Sequence, residues 1–227
     1  MARERFSVIF PAGGGSTRFG ADKLSADLAG VTVIARAVAL FAERPDVSEL
    51  IVATLRRAEL VPLLAAVPGA EGKLRWCPAG DCRAATVRHG VEAVTGDWVA
   101  VHDAARPLTP ADCIDRVFAA ALVDGAAAPA LPVKLTIKQA VGPLPARVIR
   151  TLPRHELFEM QTPQAMRRAD LLEAYASVRL PLDQITDDVQ LLELAGRPIT
   201  LVEGDDRNLK ITTLADLELA LQLLRTR

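Results

Sequence analysis

The sequence is poor in the residues that most metal, redox and nucleic-acid chemistry needs. Its three cysteines, Cys77, Cys82 and Cys113, are odd in number and lack zinc spacing, so they predict inert thiols in a reducing compartment rather than disulfides or a zinc site. The three histidines, His89, His102 and His155, are scattered with no i,i+4 pair, which argues against a histidine metal site. Only six Phe, two Trp and one Tyr are available for base stacking, and 27 basic residues balance 28 acidic ones. That leaves no electrostatic footprint for nucleic acid, and a small-molecule partner is expected. The apolar stretches are too short and interrupted to span a bilayer. The N-terminus runs from Met1-Ala2-Arg3-Glu4-Arg5 into a strand without signal-peptide anatomy, so a cytoplasmic location is expected.

What the chain has is a glycine-rich loop after its first apolar run. Phe6 to Phe10 predicts a strand, followed by Pro11-Ala12-Gly13-Gly14-Gly15-Ser16-Thr17-Arg18-Phe19-Gly20-Ala21-Asp22-Lys23. Three consecutive glycines permit positive φ and bring backbone N–H groups close to an anion, while Arg18 and Lys23 add full charges. A polyphosphate needs both. The loop is not a P-loop, because Gly20 is followed by Ala21-Asp22 rather than Lys-Ser/Thr. Nor is it a dinucleotide fingerprint: Arg18 stands where the third glycine belongs, and Thr54 where an acidic ribose ligand is expected. The plain alternative is a glycine-rich strand-to-helix turn.

Half the residues are hydrophobic and no linker composition interrupts the 227, which favours one α/β domain. Strands are expected at Phe6-Phe10, Leu50-Thr54, Leu74-Trp76, Trp98-Val101 and Ala127-Leu131. Helices are expected at about Thr32-Ala42, Ala58-Ala65, Arg83-Val94 and Pro110-Leu122. This alternation is the pattern of a mainly parallel sheet with crossover helices, whose ligands bind beyond the carboxyl ends of the strands. Three segments there carry candidate chemistry. Asp81, Arg83 and Thr86 follow the turn at Gly80, where they either read a base or sugar edge, or Asp81 caps the helix with Arg83 in solvent. Asp103 follows the fourth strand in His102-Asp103-Ala104-Ala105-Arg106-Pro107, as a ligand for a hydroxyl or divalent ion or as an ion-pair partner of Arg106. Lys210, just before a helix with a Thr213/Asp216 capping pair, either reaches a phosphate or is an ordinary surface lysine.

After Leu131 the rhythm breaks. Pro132 to Lys138 and Arg147 to Thr151 are β-prone runs around Gly142-Pro143-Leu144-Pro145, predicting a protruding hairpin over residues 132–152 that pairs two copies or folds back on its own domain. Thr186-Asp187-Asp188 opens a helix, with capping as the simplest role, and a last strand is expected at Ile199-Val202.

Together these stretches resemble the 2-C-methyl-D-erythritol 4-phosphate cytidylyltransferases of the non-mevalonate isoprenoid pathway, almost end to end. The resemblance rests on Pro11 to Gly15 with Arg18 and Lys23, Gly80-Asp81 with Arg83 and Thr86, and His102 to Pro107. It continues through Arg154, Leu157, Gln161-Thr162-Pro163-Gln164, Thr186-Asp187-Asp188, Asn208 and Lys210-Ile211-Thr212-Thr213. It implies a Rossmann-like nucleotidyltransferase that uses CTP and Mg2+, releases pyrophosphate and dimerises through the β-arm. Arg18, Lys23 and Lys210 would be catalytic and contact the triphosphate. Pro11, Ala12, Gly13, Gly14, Gly15, Gly80, Asp81 and Thr86 would hold the nucleotide. Asp103, Thr186 and Arg154 would bind the methylerythritol phosphate, Arg154 reaching in from the second subunit. The resemblance does not say which groups ligate the metal.

Some positions depart from the family pattern. Leu135 stands where an Asp usually begins the arm, Asp22-Lys23-Leu24-Ser25 replaces the common Pro-Lys-Gln, and Val189-Gln190 replaces a small pair. A ribitol 5-phosphate cytidylyltransferase is the alternative, since that branch shares loop and arm; a nicotinamide-dependent reductase and a catalytically silent nucleotide-binding protein are more distant ones. Some relatives carry a fused cyclodiphosphate synthase domain. The sequence stops after the helix Leu214 to Leu224, so the expectation is a monofunctional enzyme.

Overall fold

The structure is a computed structural model that describes residues 4–14, 19 and 22–225. Gly15 and Arg18 of the candidate site lie outside the described residues.

In chain order the elements are β1 (Phe6–Pro11), β2 (Asp27–Leu28), β3 (Val31–Thr32), α1 (Val33–Ala42), β4 (Val47–Ala53), α2 (Arg57–Leu64), β5 (Leu74–Cys77), α3 (Arg83–Ala93), β6 (Trp98–Val101) and α4 (Ala111–Asp124). They continue with β7 (Ala126–Pro132), β8 (Lys138–Ala140), β9 (Val148–Thr151), β10 (Phe158–Met160), β11 (Gln164–Arg167), α5 (Arg168–Ser177), α6 (Asp188–Leu194), β12 (Thr200–Glu203) and α7 (Leu214–Arg225). The sheet runs β10-β7-β11-β6-β1-β4-β5, with β12 also paired to β7. Strands β5, β4, β1 and β6 are mutually parallel, and β11 inserts antiparallel between β6 and β7. Chain direction thus diverges between β1 and β6, which opens a crevice where both strands end.

The strands are buried on both faces, which is why β1 reads as an almost continuous apolar run. Val8 and Phe10 face α1 and α4 through Ile34, Val38, Phe41 and Phe118. Ile9, Val99 and Val101 face α3 and α5 through Val87, Val91 and Leu171. The polar exception, Ser7, donates its hydroxyl to Glu49 at 2.6 Å. Helix α1 starts where Thr32 accepts the Ala35 N–H at 3.4 Å, and Ile34, Val38 and Phe41 are fully buried as their spacing predicts.

The arm departs from its prediction. Pro132 ends β7, residues 133–137 form no strand, and the hairpin is the short antiparallel pair β8 and β9. Its backbone finds only a few ladder partners, so apolar side chains such as Leu135, Val141, Leu144 and Ile149 stand in solvent. Among the described residues no helix is long and apolar enough to cross a membrane.

Candidate active site

Two adjoining clefts open at the divergence of β1 and β6. The first, about 230 Å3, is lined by Pro11 to Gly14, Lys23, the Gly80 turn and Lys210. The second, about 240 Å3, is lined by Arg106, Gln161, Thr162, Thr186 and Asp187. Arg83, Asp103 and Lys210 line both.

Ala12 N–H donates to Ala53 O at 2.9 Å, and the Thr54 hydroxyl donates to Ala12 O at 3.1 Å. Thr54 therefore braces the loop where an acidic ribose ligand would otherwise stand. Gly13 and Gly14 do not adopt positive φ, contrary to the reason expected for them. What Gly13 supplies is space: a Cβ there would lie 2.6 Å from Ala79 Cβ. Beyond the loop, Asp22 takes the Leu24 N–H at 3.2 Å and Arg56 at 2.9 Å, which fixes the segment that carries Lys23 into the first cleft. The Asp22-Lys23-Leu24-Ser25 departure is thereby a local anchor.

On the opposite wall Gly80 passes so close to α3 that a Cβ would lie 2.6 Å from Ala85 Cβ. Thr86 is buried, and its hydroxyl accepts the Gly80 N–H at 3.0 Å and faces Cys82 O at 2.9 Å, so it shapes the turn from within. Capping of α3 falls to Cys82, whose Sγ accepts the Ala85 N–H at 3.4 Å. Asp81 is exposed at the cleft and does not cap the helix, and Arg83 is not in solvent but paired with carboxylates.

Asp103, at the tip of β6, is the electrostatic centre. Its Oδ1 faces Arg83 at 3.3 Å, and its Oδ2 faces Lys210 at 3.0 Å and Arg106 at 3.2 Å. Burial alone would raise this carboxyl, but the charges of Arg83, Lys210 and Arg106 outweigh burial and hold it below the usual carboxylate range. Asp103 thus sits at the strand tip and pairs with Arg106, as the ion-pair reading of the sequence expects. Lys210 is no ordinary surface lysine, since Ile211 N–H donates to Ala105 O at 2.9 Å and Arg106 donates to Asn208 O at 2.6 Å. Those bonds sew its segment to the Asp103 loop.

Beneath the loop lies His102, wholly buried. Its Nε2 meets Arg106 O at 3.0 Å, and a carbonyl can only accept, so Nε2 carries the proton. Nδ1 then accepts from the Thr162 hydroxyl at 3.2 Å, whose oxygen takes the Asp103 N–H at 3.1 Å. Burial lowers the imidazole to about 4, so it stays neutral.

In the second cleft Thr186 is exposed, and its N–H and hydroxyl both donate to Gln190 Oε1, at 2.7 and 3.1 Å. Asp187 caps α6 by accepting the Gln190 N–H at 3.0 Å. Arg154 is not brought to either cleft of this chain; it donates to Lys134 O at 2.8 Å at the base of the arm. Asp188, Gln161, Gln164 and Asn208 belong to the site although the sequence, which held them in its motifs, assigned none of them a binding or catalytic role. Glutamine and asparagine give no signal of their own until buried, and here they are.

Among the described residues no three His, Cys, Asp or Glu side chains cluster to hold a metal ion. Asp103 is already surrounded by cations, so its setting does not fit a protein cage for magnesium.

A crevice of this kind, at the carboxyl ends of parallel strands with cations around it, defines the class as a Rossmann-like nucleotidyltransferase fold. Residues 6–226 match the family model of 2-C-methyl-D-erythritol 4-phosphate cytidylyltransferase, and the chain belongs to that family. The enzyme of that name from Gloeobacter violaceus is 37% identical over 224 residues, covering 96% of each chain. The bifunctional enzyme IspD/IspF of Anaeromyxobacter dehalogenans is 40% identical over 222 residues, covering 97% of this chain and 57% of that protein. The chain thus spans little more than half the length of that bifunctional relative. The crystal structure of the cytidylyltransferase from Thermus thermophilus superposes with a TM-score of 0.78 at 34% identity, covering 97% of this chain and 99% of that one.

Proposed function

We propose that the chain transfers CMP from CTP to 2-C-methyl-D-erythritol 4-phosphate, giving 4-diphosphocytidyl-2-C-methyl-D-erythritol and pyrophosphate. The observation that carries this reading is the shared wall: Arg83, Asp103 and Lys210 face both adjoining clefts, of about 230 and 240 Å3, which we read as the nucleotide and acceptor sites. An acceptor phosphate oxygen forms its bond to the α-phosphorus while the bond to the bridging oxygen breaks, and that electron pair leaves with pyrophosphate. The attacking oxygen is already ionised, so no protein base is required, in keeping with a neutral, buried His102. The protein's task is to align the two phosphates and neutralise the crowded charge.

In this reading Lys23, Lys210 and Arg18 steady the triphosphate. The backbone of Pro11 to Gly14 with Gly80, Asp81 and Thr86 forms the cytidine wall, whose two sides lie close and suit a pyrimidine over a purine, and Gly15 is expected to join it. Asp103 and Thr186 take the acceptor, and Arg154 joins them from a second copy, because in its own chain it sits at the arm's base. Magnesium belongs to the proposal as an ion carried mainly by the triphosphate's oxygens, where it would offset phosphate charge. The family assignment favours methylerythritol over ribitol phosphate. We further read residues 1–227 as one domain with 132–152 as a dimerising arm, acting in the cytoplasm; free Cys77 and Cys82 and the apolar side chains of the arm support this.

Phosphorus NMR of the protein with CTP, magnesium and methylerythritol phosphate tests the reaction. Paired resonances of a new diphosphate diester alongside pyrophosphate are expected; CTP hydrolysis without the diester contradicts it.

A further inference from the structure

Among the described residues, Asp188 Oδ1 is a buried side-chain atom without a hydrogen-bond partner. The residue is 1% exposed, in the first turn of α6, where apolar packing or a neutral amide would avoid burying a charge. Its other oxygen holds Arg83 Nη2 at 2.8 Å. The same guanidinium reaches Asp103 Oδ1 from Nη2 at 3.3 Å and from Nε at 3.4 Å. Those two bonds are near the long limit for N–H···O contacts, whereas the bond to Asp188 is short. Arg83 is thus anchored on α6 and only leans on the cleft carboxylate.

The anchor is itself fixed. Gln164 Oε1 accepts the N–H groups of Asp188 and Val189 at 2.9 and 3.0 Å, and its Nε2 donates to Asp187 at 3.0 Å. Helix α6 is pinned to β11, so Asp188 does not follow a ligand into the cleft.

We propose that Asp188 is a positioning residue acting through Arg83: it holds the guanidinium in the wall between the clefts, and its unpartnered oxygen receives that guanidinium's second arm when an acceptor hydroxyl takes Asp103. The inference rests on the cytidylyl-transfer reading. A carboxylate accepts a guanidinium through two parallel bonds, and Asp188 uses only one oxygen in this state. Release of Arg83 leaves Asp103 Oδ1 to accept from a ligand, while Arg106 and Lys210 remain on Oδ2. Without Asp188, Arg83 would settle on Asp103 and occupy the atom the acceptor needs.

Asp188→Asn keeps the size of the side chain and removes its charge. Wild-type turnover is read first: an inactive parent overturns the function and this inference together, whereas an active parent isolates the inference. In folded Asp188→Asn, KM for methylerythritol phosphate is expected to rise by about tenfold while CTP affinity stays within about twofold. Arg83→Lys should produce the same split, and the double variant should be no worse than either alone. Unchanged acceptor KM, or effects of the two substitutions that multiply, overturns the proposal. Should Asp188→Asn fail to fold, a crystal structure of the wild type with CTP and acceptor decides. Both Asp188 oxygens about 3 Å from Arg83 support the proposal. Arg83 still on Asp103 Oδ1 overturns it.

Discussion

The Lys210 ammonium lies 3.0 Å from Asp103 Oδ2, so the candidate catalytic cation begins on a protein carboxylate rather than in solvent. In the proposed reaction a triphosphate, carrying more charge than one carboxylate, would draw Lys210 across the shared wall, and a lysine already held there would lower the ordering cost at the transition state. Lys210→Gln should reduce kcat on the order of 10²-fold or more, as for other preorganised transition-state contacts, with the thermal unfolding profile retained. Steady-state pyrophosphate release checks this, and a kcat within a few-fold of wild type would remove Lys210 from the chemistry.

Neutral, buried His102 ties stability to pH. Burial lowers its folded value to about 4 from 6.5, so the unfolded chain binds the extra proton first as pH falls. Its share of stability is fully present above pH 6.5 and is lost as pH falls toward 4. The shift corresponds to about 3 kcal/mol. Asp188, raised by burial with Arg83 offsetting only part, works in the opposite direction, so the difference between variants is the cleaner readout. Urea unfolding of wild type and His102→Gln between pH 7 and 4 should show a steeper loss in the wild type. Parallel curves would contradict the assignment.

Gln190 occupies Thr186. Its side-chain oxygen takes both the N–H and the hydroxyl of Thr186, which uses the hydroxyl's only proton. An acceptor phosphate must displace that exposed bond to be donated to. Gln190→Ala should lower the acceptor KM by a factor of about 2 to 5, the worth of a modest hydrogen bond. A fall in KM supports the competition, and a rise refutes it.

Gly13, in the wall of the first cleft, packs against buried Ala79 with no room for a Cβ, which would lie 2.6 Å from Ala79 Cβ. Gly13→Ala should push the loop from the Gly80 wall, weakening CTP binding by about tenfold or more at a stability cost of about 1–3 kcal/mol. Calorimetric titration with CTP measures this. Unaltered affinity would mean that the loop does not form the nucleotide wall.

The parallel strands, their crossovers and most helices were legible because β1, β4, β6 and α1 obey simple periods and their burial follows the pattern, whereas the antiparallel β10 and β11 were not read from the sequence. The residues at strand tips were legible because parallel sheets place chemistry there, and Asp103 and Gly80 are found there. Two kinds of feature were not. Of the two readings left open for Asp81, capping is excluded because the neighbouring Cys82 caps α3, and the positive φ expected of Gly13 and Gly14 is not adopted, close packing against Ala79 being what demands Gly13. The Asp188–Arg83–Asp103 chain joins residues 105 and 20 positions apart, and no local pattern announces such a contact. The arm lost most of its first predicted strand because backbone pairing lapses between Val133, which donates to Leu157 O at 3.1 Å, and Ile137, whose O accepts the Leu152 N–H at 3.0 Å.

The most direct test is pyrophosphate release with CTP and magnesium, with methylerythritol 4-phosphate and ribitol 5-phosphate offered in parallel and Lys23→Ala as control. Turnover on the first acceptor, with little on the second and a large loss in Lys23→Ala, is the predicted result. Preference for ribitol phosphate, or no turnover on either while CTP still binds, would contradict the assignment of the second cleft.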